Sequence, residues 1–152
     1  MILAISQSNY DDVAAHAVET FPRECCGIIV RRGGRQEVVR VSNIQDEMHA
    51  RAPDEFERTA ATAFVMGPEA QPVLLDHLHG RLEIEAFYHS HPQHDAYFSA
   101  TDRRNALLWD EPSYPEAAQI VISVYDGVVK DAKAFRWDPV RRDFIAAELR
   151  IE

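Results

Sequence analysis

Apolar positions open the chain as MILAI, a run that predicts a strand. After Ser8 they recur as Val13, Ala14, Ala17, Val18 and Phe21, and Pro22 follows. That spacing predicts a helix from about residue 8 to about residue 20, with proline as its stop. CCGIIVRR and QEVVRVSN flank Gly33-Gly34, and two β-rich runs around a glycine pair predict a hairpin. The polar stretch from Ile44 to Pro53 predicts a loop. From Asp54 to Val65 alternation and helical periodicity score about equally, so helix and strand both stand. Leu74 to His79 predicts a helix that Gly80 ends.

LEIEAFYHS is dense enough in apolar and aromatic residues for a strand in the middle of a sheet. A polar loop containing proline follows, and Ser99 then opens a helix predicted to run to about Leu108. QIVISVY and VVKDAKAFRW bracket Asp126-Gly127, a second hairpin signal, and DFIAAELRIE adds a last strand or a short helix. Sheet with a few helices places the chain in the α/β or α+β class.

Composition narrows this picture. The 152 residues, 46% of them hydrophobic, carry no repeat, low-complexity tract or linker, so one domain over residues 1–152 is expected. A net charge of -9 and a pI near 5.2 argue against nucleic acid or an anionic membrane surface as partner. No apolar run approaches the roughly 18 residues of a membrane span, and MILAI lacks the flank and length of a secretory signal. The expectation is a soluble, cytoplasmic protein. Cys25 and Cys26 are adjacent, which disfavours a disulfide between them, and they lack the spacing of a C-x-x-C zinc site.

The chemistry concentrates in YHSHPQHDAYFSATD, residues 88 to 102. His89 and His91 stand one residue apart at the end of the predicted central strand, so their side chains leave one face and can converge on one ion. The pair His77 and His79 has the same spacing, but in a predicted helix two residues turn through about 200° and point the rings apart. Asp102, in the first turn of the helix after Ser99, offers an anionic oxygen to complete a His-His-carboxylate set. Three protein ligands leave the fourth tetrahedral position to water, as catalytic zinc sites do. A base must then take the proton of that water. Glu24, between the proline that ends the first helix and the strand CCGIIV, is the best placed of the acids on local grounds.

HSHP, six residues, Ser99, two residues and Asp102 resemble the JAMM, or MPN-plus, metallopeptidase motif H-x-H-P-x6-S-x2-D without gap or substitution. FPRECCGIIV is similar to the segment of small stand-alone prokaryotic members that carries the catalytic glutamate before a Cys-Gly pair. The resemblance implies one Zn2+ held by His89, His91 and Asp102, acid/base work by Glu24 and oxyanion stabilisation by Ser99. Ser90, between the two histidines, is a candidate to orient them. The resemblance also implies the MPN/JAMM fold, a mixed β-sheet flanked by helices and similar to the cytidine-deaminase-like arrangement. The activity implied is hydrolysis of a peptide or isopeptide bond, in the C-terminal tail of a ubiquitin-like or sulfur-carrier protein or in a phage-tail or cell-wall peptide.

Other readings remain beside it. Ser99 also suits a helix N-cap and Asp102 a first-turn acid favoured by the helix dipole. A cysteine nucleophile is disfavoured because Cys25 and Cys26 open an apolar strand, and a zinc deaminase because its H-x-E and C-x-x-C signature is missing. His94, His16 and His49 read as solvated or packed histidines. Asp46, Glu47, Asp54, Glu55 and Glu57 read as a solvated face or a surface for a basic partner. The competing function is a non-catalytic MPN-type interaction scaffold. Asn43 to Glu57 and Leu108 to Pro115 are candidates for partner recognition, and the sequence does not set the oligomeric state.

Overall fold

A computed structural model describes residues 1–152. MILAI supplies β1 (Ile2–Ile5), and α1 spans Gln7–Thr20. Its cap is Ser6 rather than Ser8: Ser6 is extended, and its side chain accepts from the Asn9 amide at 3.2 Å. The hairpin around Gly33-Gly34 forms β2 (Cys26–Arg32) and β3 (Arg35–Val41), with both glycines at positive φ as a type I′ turn requires.

Residues 44–53, expected as a loop, hold the short helix α2 (Gln45–Arg51). Only Gln45 of it is buried, and Asp46 and Glu47 at its start and Arg51 at its end suit the helix dipole rather than an apolar stripe. Residues 54–65 are neither helix nor strand. Polar groups of α2 take up their backbone instead: Gln45 Nε2 donates to the Arg58 carbonyl at 2.8 Å, and the Ala60 amide donates to Asp46 Oδ1 at 2.7 Å. Helix α3 (Ala70–Leu78) starts one turn before its apolar pattern, and Gly80 follows at φ 72°.

All of LEIEAFYHS but Leu82 lies in β4 (Glu83–Pro92), and α4 covers Ala100–Ala106. The chain leaves helical geometry at Leu107 and makes a small hairpin of β5 (Leu107–Leu108) and β6 (Glu111–Pro112). The second predicted hairpin is β7 (Ala118–Tyr125) and β8 (Val128–Asp138). DFIAAELRI resolves as strand β9 (Asp143–Ile151), antiparallel to β8 and parallel to β1.

The seven long strands form one mixed sheet in the order β1-β9-β8-β7-β4-β2-β3, with β4 and β7 parallel at its centre. The sheet curls until its edges meet. Gln36 of β3 donates to the Ala4 carbonyl of β1 at 3.0 Å and accepts from the Ser6 amide at 3.1 Å. Helix α1 packs with Leu3, Ile5, Ile29, Ala86, Tyr88, Ile120 and Ile122 on one face. On the other face Cys26, Ile28, Val30 and Ile84 pack with Ala70 and Val73 of α3. No helix is long and apolar enough to cross a membrane.

Candidate metal centre

The facing of β4 is set by a bulge. Ile29 stands opposite Ala86 and Val30 opposite Ile84, so Glu85 is the extra residue. Beyond the bulge Ala86, Tyr88 and Ser90 point toward α1, and Phe87, His89 and His91 point to the opposite face. A one-residue slip would exchange the two sets. Pro92, expected in the loop, is the last residue of the strand and pairs with Val124 of β7.

His89 and His91 are both buried, His89 to 1% exposure. Asp102 reaches them from the first turn of α4, where a capping box fixes it: Ser99 Oγ accepts from the Asp102 amide, and Asp102 Oδ2 accepts from the Ser99 amide, both at 3.0 Å. The two imidazole Nε2 atoms stand 3.2 Å apart, and Asp102 Oδ2 lies 3.1 Å from that of His89 and 3.2 Å from that of His91. Ligands held at zinc distances in a tetrahedron stand about 3.3–3.4 Å apart, so this triangle fits one face of such a site.

The orientation of the rings is also set. His91 Nδ1 lies 2.9 Å from the Asp95 carbonyl and donates its proton there, so a neutral ring would turn the Nε2 lone pair to a metal in the triangle. The His89 ring stacks on Phe64, with centroids 4.8 Å apart and planes at 28°. Burial pushes the Asp102 carboxyl up, but hydrogen bonds with His89 and His91, the charge of His89 and the Ser99 amide hold it well below the usual carboxylate range. The three residues form a group able to bind a metal ion.

Glu24 precedes β2. Cys26 pairs with His89, and the Ser90 amide donates to the Cys25 carbonyl at 3.2 Å, so continuing the register sets Glu24 opposite His91 on the same face. Its backbone is fixed by its own amide, which donates to the Ala60 carbonyl at 2.7 Å, and by its carbonyl, which accepts from Asn43 Nδ2 at 2.9 Å. Glu24 is 5% exposed and its Oε1 is buried with no hydrogen-bond partner. Burial, then the charge of Asp102, push it up to about 9, and the charge of Arg58 opposes the rise.

Ser99 sits where both of its expected roles remain open: its oxygen caps α4, and its hydroxyl proton is still available to donate. Ser90 does not meet the expectation of orienting the histidines. Its hydroxyl faces α1 and accepts from the Cys25 amide at 2.8 Å, tying the start of β2 to the end of β4. Cys25 and Cys26 are free and buried, and burial raises both thiols, Cys25 to about 11, which does not favour a nucleophile. His77 Nδ1 is occupied by the Ile84 amide at 3.2 Å, apart from the triangle.

Sequence spacing missed Phe64, Asn43 and Arg58. Phe64 and Arg58 come from the stretch 54–65 whose pattern was ambiguous and Asn43 from just before the polar loop, and all three act through contacts across 13 or more residues of chain. With Phe87, Phe98, Leu74 and Tyr114, Phe64 lines a groove of about 630 Å3 that His89 and Asp102 also border.

A family model described as prokaryotic homologs of the JAB domain matches residues 6–138. No curated protein matches the sequence. Among solved structures, the chain is similar to a Desulfitobacterium hafniense protein, with a TM-score of 0.69, 22% identity and coverage of 100% of this chain and 93% of that one. A Salinibacter ruber protein gives 0.60 at 20% identity, covering 97% and 90%. A JAB1/MPN domain protein from Archaeoglobus fulgidus gives 0.51 at 14% identity, covering 97% and 99%. These likenesses speak for the fold.

Proposed function

The chain belongs to the family of prokaryotic homologs of the JAB domain, and we propose that it is a zinc-dependent peptidase that hydrolyses a peptide or isopeptide bond. The observation that carries this reading is the triangle of His89 Nε2, His91 Nε2 and Asp102 Oδ2 with an unpartnered, buried Glu24 carboxyl on the same sheet face. A buried carboxyl without a partner destabilises a fold, and such a group has a reason to persist where it handles protons.

Zinc held by the three residues would polarise the scissile carbonyl and make water a nucleophile at neutral pH. Asp102, if it held that cation, would press less negative charge on Glu24, and the part of the rise that Asp102 causes would be eased. Glu24 then accepts the proton of the attacking water and delivers it to the leaving nitrogen. The Ser99 hydroxyl, held at the helix start, donates to the carbonyl oxygen as negative charge gathers there, an interaction worth about 3 kcal/mol in preorganised sites. The aromatic groove beside His89 receives the substrate chain. For the protein cut, the tail of a ubiquitin-like or sulfur-carrier protein is the proposal, resting on the family resemblance.

Metal content and activity test the reading together. Purified protein should hold one zinc per chain, lost in His89→Ala, and Glu24→Gln should keep the metal while peptidase activity falls about 10²–10⁴-fold. Absence of zinc from wild type, or full activity in Glu24→Gln, would overturn it in favour of an interaction scaffold.

A further inference from the structure

The groove has an aromatic floor and an unpaired cation on its rim. Most arginines of this acidic chain pair with a carboxylate, as Arg40 does with Asp12 at 2.6 Å and Arg31 with Glu85 at 3.0 Å. Arg58 lines the groove, and its guanidinium makes neither an ion pair nor a hydrogen bond; only its backbone carbonyl is engaged, by Gln45. The backbone around it is not free to wander. Gln45, itself buried, holds residue 58, and two residues on Ala60 is tied to Asp46 and to the Glu24 amide. The loop thus presents a positive charge from a braced position, near enough for its field to act on Glu24.

A substrate filling the groove would take water from that guanidinium. Removing a charge from water is unfavourable unless a partner of opposite sign replaces it, and the planar fork of arginine matches a carboxylate. Glu55 and Glu57 share the groove lining and are exposed like Arg58, but it is the charge of Arg58 that reaches Glu24 beside the metal triangle. Arg104, on the α4 wall, adds a second positive charge without an ion pair and donates only to Thr101 at 3.3 Å. The apolar part of the lining is Phe64, Phe87, Phe98, Met66 and Leu74, with Phe64 stacked on His89.

We propose that the groove selects a substrate presenting a carboxylate to Arg58 next to an apolar or aromatic side chain close to the cleaved bond. The proposal rests on the peptidase reading above. The carboxylate has two sources, the C-terminus of a chain, in which case a terminal residue is released, or an acidic side chain within a longer segment.

Calorimetric titration of the Glu24→Gln protein, which leaves peptides intact, separates them. The probes are acetyl-Ala-Ala-Phe as free acid, the same peptide as C-terminal amide, and acetyl-Ala-Glu-Phe amide. At least one carboxylate peptide should bind about tenfold more tightly than the neutral amide. Preference for the free acid assigns the C-terminus, and preference for the glutamate peptide assigns the side chain. In the double variant with Arg58→Gln the advantage should vanish, and with Arg58→Lys it should survive in part, because charge remains and the fork is lost. Equal binding of all three probes, no binding of any, or an advantage that persists in Arg58→Gln overturns the proposal. Thermal melts check that the Arg58 variants fold, as expected for an exposed side chain. Zinc binding and cleavage without discrimination would sink this inference alone, and discrimination in a protein that binds no zinc would sink the peptidase reading alone.

Discussion

Two buried histidine arrangements lie on opposite sides of β4. Toward α1, His16 Nδ1 meets the Tyr88 hydroxyl at 2.7 Å, and burial lowers the imidazole so that it packs as a neutral group. On the opposite face, His89 and His91 turn their nitrogens toward each other and toward Asp102, and Glu24 beside them leaves an oxygen without a partner. The alternation of one strand thus divides two jobs: Tyr88 completes a satisfied core, and its neighbour His89 joins a concentration of polar atoms unfavourable for an empty fold. Polarity alone does not mark a site. What distinguishes the second arrangement is convergence without internal satisfaction.

The largest test of this contrast is Glu24→Gln measured for stability as well as activity. Activity falls as stated above, yet the metal-free protein should gain about 1–3 kcal/mol at neutral pH, because the variant removes a carboxyl that is ionised in the unfolded chain and must take up a proton on folding. The sign follows from linkage. The folded carboxyl titrates at about 9, above its ordinary value of 4.5, so its contribution to stability is full below pH 4.5 and is lost as pH rises through 9. The gain of the variant should therefore grow across that interval in urea melts at stepped pH. A loss of stability at every pH would mean that Glu24 is satisfied and that the two faces do not differ.

Gly27→Ala strikes the satisfied face. Gly27 stands opposite Tyr88, and a Cβ there would lie 2.2 Å from the ring of this fully buried side chain. Overpacking of this kind should cost about 3 kcal/mol. Because Tyr88 adjoins His89, zinc affinity should fall as well, although no ligand has changed. Retained stability with the ring displaced would show that the core on the α1 side is softer than its burial implies.

A smaller effect is expected for Tyr88→Phe, which leaves His16 Nδ1 without its partner while conserving shape. Stability should fall by about 1–2 kcal/mol, and zinc stoichiometry should be unchanged. Loss of zinc in this variant would join the two arrangements into one network and break the comparison.

The site was legible where its geometry is local. His89 and His91 share a face because a strand alternates, and Ser99 and Asp102 meet through a capping box three residues long; both relations are properties of sequence spacing. The long strands declared themselves in the same way. Helix α2 did not, because its polar residues bind backbone and solvent rather than a core. Nor did the Glu85 bulge, although it determines which side of the sheet the histidines face. Phe64 against His89 and Asn43 against Glu24 join distant parts of the chain, and no periodicity reports such pairs. The groove is built largely from residues of this kind.

The smallest prediction concerns another local rule broken on the same side of the molecule. At the β5–β6 turn Trp109 and Asp110 both have positive φ, 51° and 63°, and Trp109 is 91% exposed. A type I′ turn favours asparagine or glycine at its first central position, and a bulky side chain there is strained with no packing to offset it. The turn is nonetheless held firmly, since Arg142 donates to the Asp110 carbonyl at 3.0 Å and pairs with Glu111 at 2.9 Å. Trp109→Asn should relieve the strain and raise stability by about 1 kcal/mol, read as a higher midpoint in urea with an unchanged slope. Because Trp109 does not line the groove, cleavage of a short peptide should stay the same. An unchanged midpoint would confine the departures from local preference to Glu24, whereas a higher midpoint would extend them from the buried site to the exposed hairpin next to α4.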